Sequence, residues 1–157
     1  MNAAETRYIK PQTGTGMFNE AVARLTKMGV SVYGSRVLYV KGRKSGEWRA
    51  TPVNPLSFPD GTRYLVAPRG NTQWVRNLRA VGTGELRVGR RVEPFRATEI
   101  SDDAKPEILR AYLKRWKWEV GVFFDGVDAK APEEKLREIA PGYPVFRIEP
   151  ATAEQVR

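Results

Sequence analysis

The sequence predicts an α+β fold, in which flanking helices pack on a small, mostly antiparallel β-barrel. Five to seven short runs rich in β-branched and aromatic residues follow one another along the chain. They are joined by tight turns instead of helical crossovers, which argues against a doubly wound parallel sheet. Apolar residues at helical spacing occur chiefly towards the two ends of the chain. Strands in the middle and helices grouped at the ends are typical of this class.

Each element has its own signal. Apolar residues from Phe18 to Met28 recur at helical spacing and predict a helix over about 18–28, with Gly29 as its stop. Asp60-Gly61 predicts a hairpin turn. Extended runs predict strands over 30–33, 36–40, 48–56, 63–67, 85–88, 92–100 and 143–148. Further helices are predicted over 73–79 and 132–139.

Another helix is predicted to begin at Ser101-Asp-Asp, because these residues can cap its N-terminus, and Pro106 is tolerated in its first turn. Its apolar stripe comprises Ile108, Leu109, Tyr112, Leu113, Trp116 and Val120. Trp118 lies two positions from Trp116 and cannot share its helix face, so it is predicted to be exposed or interfacial, while Trp116 belongs to the core. Phe123-Phe124 is predicted either to line the mouth of a site or to pack at a dimer seam, and packing is the favoured interpretation.

The length of 157 residues predicts one domain over 17–157, preceded by a polar, turn-rich arm over 1–16. The chain contains no 18-residue apolar run, and its start lacks the apolar centre of a signal peptide. We therefore expect a cytoplasmic protein.

Histidine and cysteine are both absent from the sequence. This composition excludes Ser-His-Asp catalysis, cysteine nucleophiles and disulfides, and it argues against zinc sites and His- or Cys-ligated haem. No base is identifiable that could activate a serine. We expect no metal site, and an enzyme of this composition would depend on a cofactor for its chemistry.

The positive charge is concentrated in one segment. The formal net charge is +9, and the segment from Arg36 to Arg96 contains 13 Lys/Arg against 4 Asp/Glu, whereas the rest of the chain contains 14 of each. Such a segment attracts polyanions: nucleic acid, anionic lipid or a multiply negative coenzyme.

Two turns in this segment carry the chemistry. Gly42 and Gly46 bracket Arg43, Lys44 and Ser45 between apolar runs, and a turn crowded with cations, a hydroxyl and backbone N–H groups suits an anion. The second turn follows another apolar run and reads Ala67-Pro-Arg-Gly-Asn-Thr-Gln-Trp-Val-Arg-Asn77. We predict that the two turns hold the two ends of one phosphate-bearing ligand.

Three blocks in this order resemble the deazaflavin-dependent nitroreductase family, whose members are split β-barrel oxidoreductases that use coenzyme F420. The blocks are Gly42-Arg-Lys-Ser-Gly-Glu-Trp-Arg-Ala-Thr-Pro52, Val66-Ala-Pro-Arg-Gly70 and Trp74-Val-Arg-Asn-Leu78. The resemblance covers roughly residues 18–100. It implies a split β-barrel of the FMN/F420-binding type.

The resemblance also implies ten cofactor-binding positions: Arg43, Lys44, Ser45, Arg49, Ala67, Pro68, Arg69, Gly70, Trp74 and Asn77. The first four match the turn that holds the coenzyme phosphate, and the next four match the segment against the deazaflavin ring. The last two match the W-x-x-N positions that close the site. The implied reaction is hydride transfer from reduced F420 to an electron-poor acceptor such as a quinone, enone or nitro compound. Because the coenzyme ring delivers the hydride, the resemblance also implies no catalytic side chain in a fixed acid–base role.

Other functions are compatible with the same residues. Apolar residues around 112–124 would suit a carrier of lipid or quinone, and the same barrel could hold FMN. A basic nucleic-acid-binding barrel would need basic and aromatic residues interleaved across several strands, and no such signature is present, so we expect no nucleic-acid partner. A homodimer is the preferred assembly, and a quinone acceptor would bring the protein to a membrane surface.

Overall fold

The structure is a computed structural model that describes residues 7–9 and 35–157. Two predicted elements, the helix over 18–28 and the extended run over 30–33, lie outside the described residues. The predicted boundary between the arm and the domain at residue 16 lies outside them too, and it stays a prediction.

The centre of the fold is one antiparallel sheet of seven strands, curled into a half-barrel. Its strands, in chain order, are β1 (Arg36–Lys41), β2 (Trp48–Val53), β3 (Leu56–Ser57), β4 (Arg63–Val66), β5 (Thr83–Val88), β6 (Arg91–Glu99) and β7 (Val145–Pro150). Across the sheet the order is β2-β1-β5-β6-β7-β4-β3, so β2 and β3 are the edges. The predicted α+β split barrel is confirmed.

In the described residues, four helices flank the sheet: α1 (Gln73–Val81), α2 (Pro106–Val120), α3 (Glu133–Ile139) and α4 (Ala153–Val156). Short 3₁₀ turns precede α2 and follow α2 and α3. Within the described part of the chain, none of the helices combines the length and the apolar character needed to cross a bilayer.

Two groups of buried side chains hold these layers together. Helix α1 contributes Val75 and Leu78 to a core formed with inward-facing strand residues such as Leu38 and Phe146. The predicted stripe of α2 forms a second core with α3 and the start of β7, and all six of its residues are buried. As predicted, Trp116 is buried and Trp118 is 60% exposed.

Some predicted boundaries differ from the observed ones. The strand predicted over 48–56 divides into β2 and β3 at Asn54-Pro55, because proline has no N–H to donate to a strand ladder. Ser101 precedes only a 3₁₀ turn and makes no side-chain capping hydrogen bond. Helix α2 begins at Pro106 instead, where a missing N–H costs nothing.

Residues 7–9 lie on the body of the domain, beside the loop after β4. The Ile9 N–H donates to the Arg69 carbonyl, and the Asn71 N–H donates to the Arg7 carbonyl, at 2.8 and 2.7 Å. The Arg7 guanidinium lies over the Tyr143 ring and donates to the carbonyls of Gly142 and Phe123. These contacts tie the start of the chain to both neighbouring loops.

Gly70 makes this docking possible, and its replacement tests the contact. Gly70 has φ +83°, and a Cβ there would lie 2.1 Å from the Arg7 carbonyl oxygen, whereas Gly82 has φ +81° and open space around it. We expect Gly82→Ala to cost about 1–2 kcal/mol through backbone strain alone. Gly70→Ala should cost more and release residues 7–9, as measured by urea unfolding and by amide exchange at Ile9. Equal losses for the two variants would show that the docking adds no stability.

Candidate functional site

A cleft of about 1040 Å³ lies along edge strand β2. Every residue from Arg49 to Asn54 lines it, so the strand forms one long wall. A strand of this length places its two ends about 17 Å apart. The cleft is therefore long enough for an extended ligand with chemically different ends.

One end of the cleft is the basic turn between β1 and β2. Gly42 donates its N–H to the Glu47 carbonyl and accepts from the Gly46 N–H, and Gly46 has φ +72°, a conformation that favours glycine. The side chains of Arg43, Lys44, Ser45 and Arg49 line this end of the cleft and are exposed. Arg49 has only a loose contact with Glu47, at 3.7 Å between exposed groups.

Asn77 of α1 holds the turn in place. Its side chain is 4% exposed, and its Oδ1 accepts from the Arg43 backbone N–H at 3.0 Å and from the Arg43 guanidinium at 2.8 Å. Gln73 accepts from the same guanidinium nitrogen at 3.1 Å. Within the described residues, the other guanidinium nitrogens of Arg43 make no hydrogen bond, so they can bind a ligand.

The segment after β4 forms a neighbouring part of the wall. Pro68 and Arg69 line the cleft, whereas Ala67 is buried beneath it and Gly70 faces Arg7. The N–H groups of Ala67 and Gly70 donate to the carbonyls of Pro144 and Ala67, and proline has no N–H. Of the backbone N–H groups from Ala67 to Gly70, the Arg69 N–H is therefore the one that can donate to a ligand ring.

The Arg69 side chain is held against aromatic surface. Its guanidinium carbon lies 5.1 Å from the centroid of the Phe123 ring, in a cation–π contact. Burial lowers the pKa of the Arg69 guanidinium, an effect that the nearby Tyr8 partly opposes. Because the ordinary arginine pKa is far above neutrality, the side chain stays cationic.

The start of α1 adds a further attraction for anions. Thr72, Gln73 and Trp74 line the cleft, and no acidic residue lies in the first turn of the helix. First-turn N–H groups have no partner within a helix, and the helix dipole is positive at this end. Thr72 Oγ1 is buried and has no hydrogen-bond partner in the described part of the chain.

Sequence reasoning missed a polar cluster at the far end of β2. Asn54, Tyr112 and Glu119 all line the cleft there, and the Asn54 side chain hydrogen-bonds to both of the others. Among the described residues that line the cleft, Glu119 carries the only carboxyl group. The sequence does contain a signal for it, namely the position of Glu119 in the last turn of α2. The helix dipole disfavours a negative charge there, so a glutamate at this position is unusual.

Burial perturbs both acids of this cluster. It raises the pKa of the Glu119 carboxyl above its ordinary value, against the opposing effects of the Asn54 hydrogen bond and the Arg115 charge. Burial also raises the pKa of the Tyr112 hydroxyl, and the neighbouring Glu119 raises it further. Tyr112 therefore keeps its proton at neutral pH, whereas Glu119 is protonated at a higher pH than an ordinary glutamate.

The sequence model of the F420H(2)-dependent quinone reductase family matches residues 16–130, well over half of the chain. The chain belongs to this family. The resemblance to F420-dependent split-barrel oxidoreductases that the three blocks predicted is thus confirmed. No curated protein matches the chain.

Solved structures share the split-barrel fold of this family member. A structure described as a domain-swapped dimer matches with a TM-score of 0.55 and 18% identity, over 87% of this chain and 100% of the other. A protein of unknown function from Agrobacterium tumefaciens, Atu2129, matches with a TM-score of 0.51 and 18% identity, over 95% of this chain and 65% of the other. An F420-H2 dependent reductase, FDR-A, matches with a TM-score of 0.49 and 20% identity, over 74% of this chain and 94% of the other.

The contact between Asn77 and Arg43 can be tested against Gln73, which bonds the same guanidinium from an exposed position. We expect Asn77→Ala to lower the free energy of unfolding by about 1–3 kcal/mol, because it leaves a partly buried N–H without an acceptor. Gln73→Ala should change it by less than about 0.5 kcal/mol. Urea unfolding of both variants measures the difference, and equal effects would remove Asn77 as the anchor of the turn.

Proposed function

We propose that the protein is an F420-dependent reductase that uses this cleft to bring reduced coenzyme and an electron-poor acceptor together. The acceptor would be a small molecule such as a quinone, an enone or a nitro compound. The observation that carries the proposal is the basic turn, fixed by Asn77 at one end of a long cleft whose remaining walls are largely apolar.

The donor set suits a phosphate at the basic end. Arginine binds phosphate through paired N–H donors, and lysine adds a point charge. In the proposal Arg43, Lys44 and Arg49 bind the coenzyme phosphate, with Ser45 as a further hydrogen-bonding group and the start of α1 beside them. Membership of the family supports F420 as the cofactor, and FMN is the alternative.

The middle of the cleft suits a flat ring system. Its lining includes the apolar side chains of Val53, Val66, Pro68 and Trp74. Trp74 is partly exposed and is braced from behind by Phe146, at 6.1 Å between ring centroids. We propose that Ala67, Pro68, Arg69 and Gly70 shape the wall beside the ring and that Trp74 and Asn77 close it.

When bound, reduced F420 supplies a hydride from its deazaflavin ring. The chain's own residues would bind, orient and exclude water. The fixed turn sets the position of the phosphate, and the apolar wall of β2 limits access of water to the ring. The space beside Val122 and Phe123 is left for the acceptor.

Assembly and location are further proposals. The description of one fold neighbour as a domain-swapped dimer supports a homodimer, which light scattering of the purified protein would test. A cytoplasmic location with peripheral membrane contact would suit a quinone acceptor.

The basic turn can be tested with a charge-matched control. We expect the wild type to bind F420 with micromolar or tighter affinity, followed by deazaflavin and tryptophan fluorescence. Arg43→Ala/Lys44→Ala should weaken binding at least tenfold, about 1.4 kcal/mol. Arg90→Ala/Arg91→Ala removes the same charge from the exposed β5–β6 turn, outside the cleft, and should leave the affinity nearly unchanged.

The outcomes separate the candidate functions. Equal weakening in both double variants would mean that net charge attracts the coenzyme and the turn does not bind it. Absence of F420 binding by the wild type would overturn the proposal. A lipid or quinone bound to the purified protein, or the absorption spectrum of FMN, would then identify the alternative.

A further inference from the structure

The cluster of Glu119, Asn54 and Tyr112 lies away from the turn that is proposed to hold the coenzyme phosphate. It lies at the end of β2 remote from Arg43 and Lys44, because Asn54 directly follows the strand whose first residues adjoin the basic turn. Apolar residues surround it on the cleft wall, among them Val120, Val122 and Phe123. A carboxyl group in such apolar surroundings suggests a functional role.

The neighbours of Glu119 keep its carboxyl group in the cleft. Asn54, itself partly buried, hydrogen-bonds to the carboxyl group and to the Tyr112 hydroxyl. Tyr112 is 1% exposed and packs 6.3 Å from the Phe124 ring, so the far end of this chain of hydrogen bonds is rigid. The carboxyl group also lies near Arg115 of its own helix. It is thus oriented by fixed partners while remaining accessible from the cleft.

We propose that Glu119 is the proton donor to the acceptor, and that Asn54 and Tyr112 position it. This inference rests on the proposed function. A quinone that receives a hydride gains two electrons and one proton and becomes a hydroquinone anion, which needs a second proton on oxygen. The reductant is the reduced deazaflavin coenzyme, which loses the hydride.

The proton transfer balances within the cleft. The O–H bond of the Glu119 carboxyl breaks, its electron pair stays on the carboxylate, and a new O–H bond forms on the acceptor oxygen. Because Glu119 is exposed to solvent, water can return the proton between turnovers. Tyr112 is unsuited to this role, since its fully buried hydroxyl is a much weaker acid than a free tyrosine. Glu119 is suited to it, because burial keeps its carboxyl protonated closer to neutral pH.

Other charged and titratable groups act on the same space. Tyr112 and Arg115 approach Glu119 from its own helix, and the remaining walls of the cleft present Tyr8, Arg43, Lys44, Arg49, Arg69 and Arg76. Among these cations, Arg115 favours the carboxylate form of Glu119. It helps to stabilise the charge that remains on Glu119 after the proton has been transferred.

The test compares Glu119→Gln with Glu107→Gln, which removes an exposed carboxylate from the first turn of the same helix. We expect both variants to bind F420 like the wild type. Quinone reduction under steady-state conditions should fall about 100-fold in Glu119→Gln and be unchanged in Glu107→Gln. The wild-type rate should decrease as the pH rises through the Glu119 pKa, and the rate of Glu119→Gln should lack this decrease.

A second readout needs no coenzyme. The folded state holds the Glu119 proton more tightly than the unfolded chain does, because the folded-state pKa is the higher of the two. Wild-type stability should therefore fall, relative to Glu119→Gln, as the pH rises from about 4 through the folded-state pKa. Thermal unfolding over this range measures the difference, and Glu107→Gln serves again as the control.

The failures are distinguishable. Wild-type protein that does not bind F420 contradicts the proposed function itself. Normal F420 binding together with unchanged reduction and an unchanged pH profile in Glu119→Gln overturns the proton-donor role alone. A stability difference that does not vary with pH would show that the carboxyl group titrates as an ordinary glutamate, and that result also overturns the role.

Discussion

The site depends on one buried hydrogen-bonding group, the side-chain amide of Asn77. It joins a turn between two strands to a helix that begins some thirty residues later, through two hydrogen bonds to Arg43. Burying an amide group without hydrogen-bond partners would reduce the free energy of unfolding. Asn77 is therefore satisfied only when the turn occupies this position. The packing of Val75 and Leu78 in the core fixes the position of helix α1. The position of the basic turn is therefore set by the core, although its charged side chains are exposed.

Because the basic turn is fixed at one end, the two ends of the cleft differ chemically. The wall formed by β2 has cations at its start, apolar side chains along its length and the carboxyl group of Glu119 beyond its end. A ligand with a negative tail and a flat, less polar ring fits such a gradient in one orientation only. Because β2 is an edge strand among the described strands, it can form the wall of a cleft. The same edge could pair with another chain, and the conspicuous positive charge of the turn works against such pairing.

Much of the fold follows from local patterns in the sequence. The strands, the glycine-bearing turns and the stripe of α2 are all set by neighbouring residues, and the structure agrees with them. The strand predicted over 48–56 is observed as two strands, because Pro55 has no N–H to donate to the strand ladder. The contacts that define the site are different, because they join residues far apart in the chain. Nothing local indicates that Asn77 would anchor Arg43, that Arg7 would lie over Tyr143, or that Asn54 would meet Glu119.

The central claim is that the basic turn recognises a phosphate and that the rest of the cleft recognises a ring. The most direct test compares two ligands, F420 and the same deazaflavin without its phosphate, on the wild type and on Arg43→Ala/Lys44→Ala. The account predicts that loss of the phosphate weakens wild-type binding at least tenfold, about 1.4 kcal/mol, and barely affects the double variant. Equal loss of affinity in both proteins, or no loss in the wild type, would contradict it, because the phosphate and the turn would then act independently.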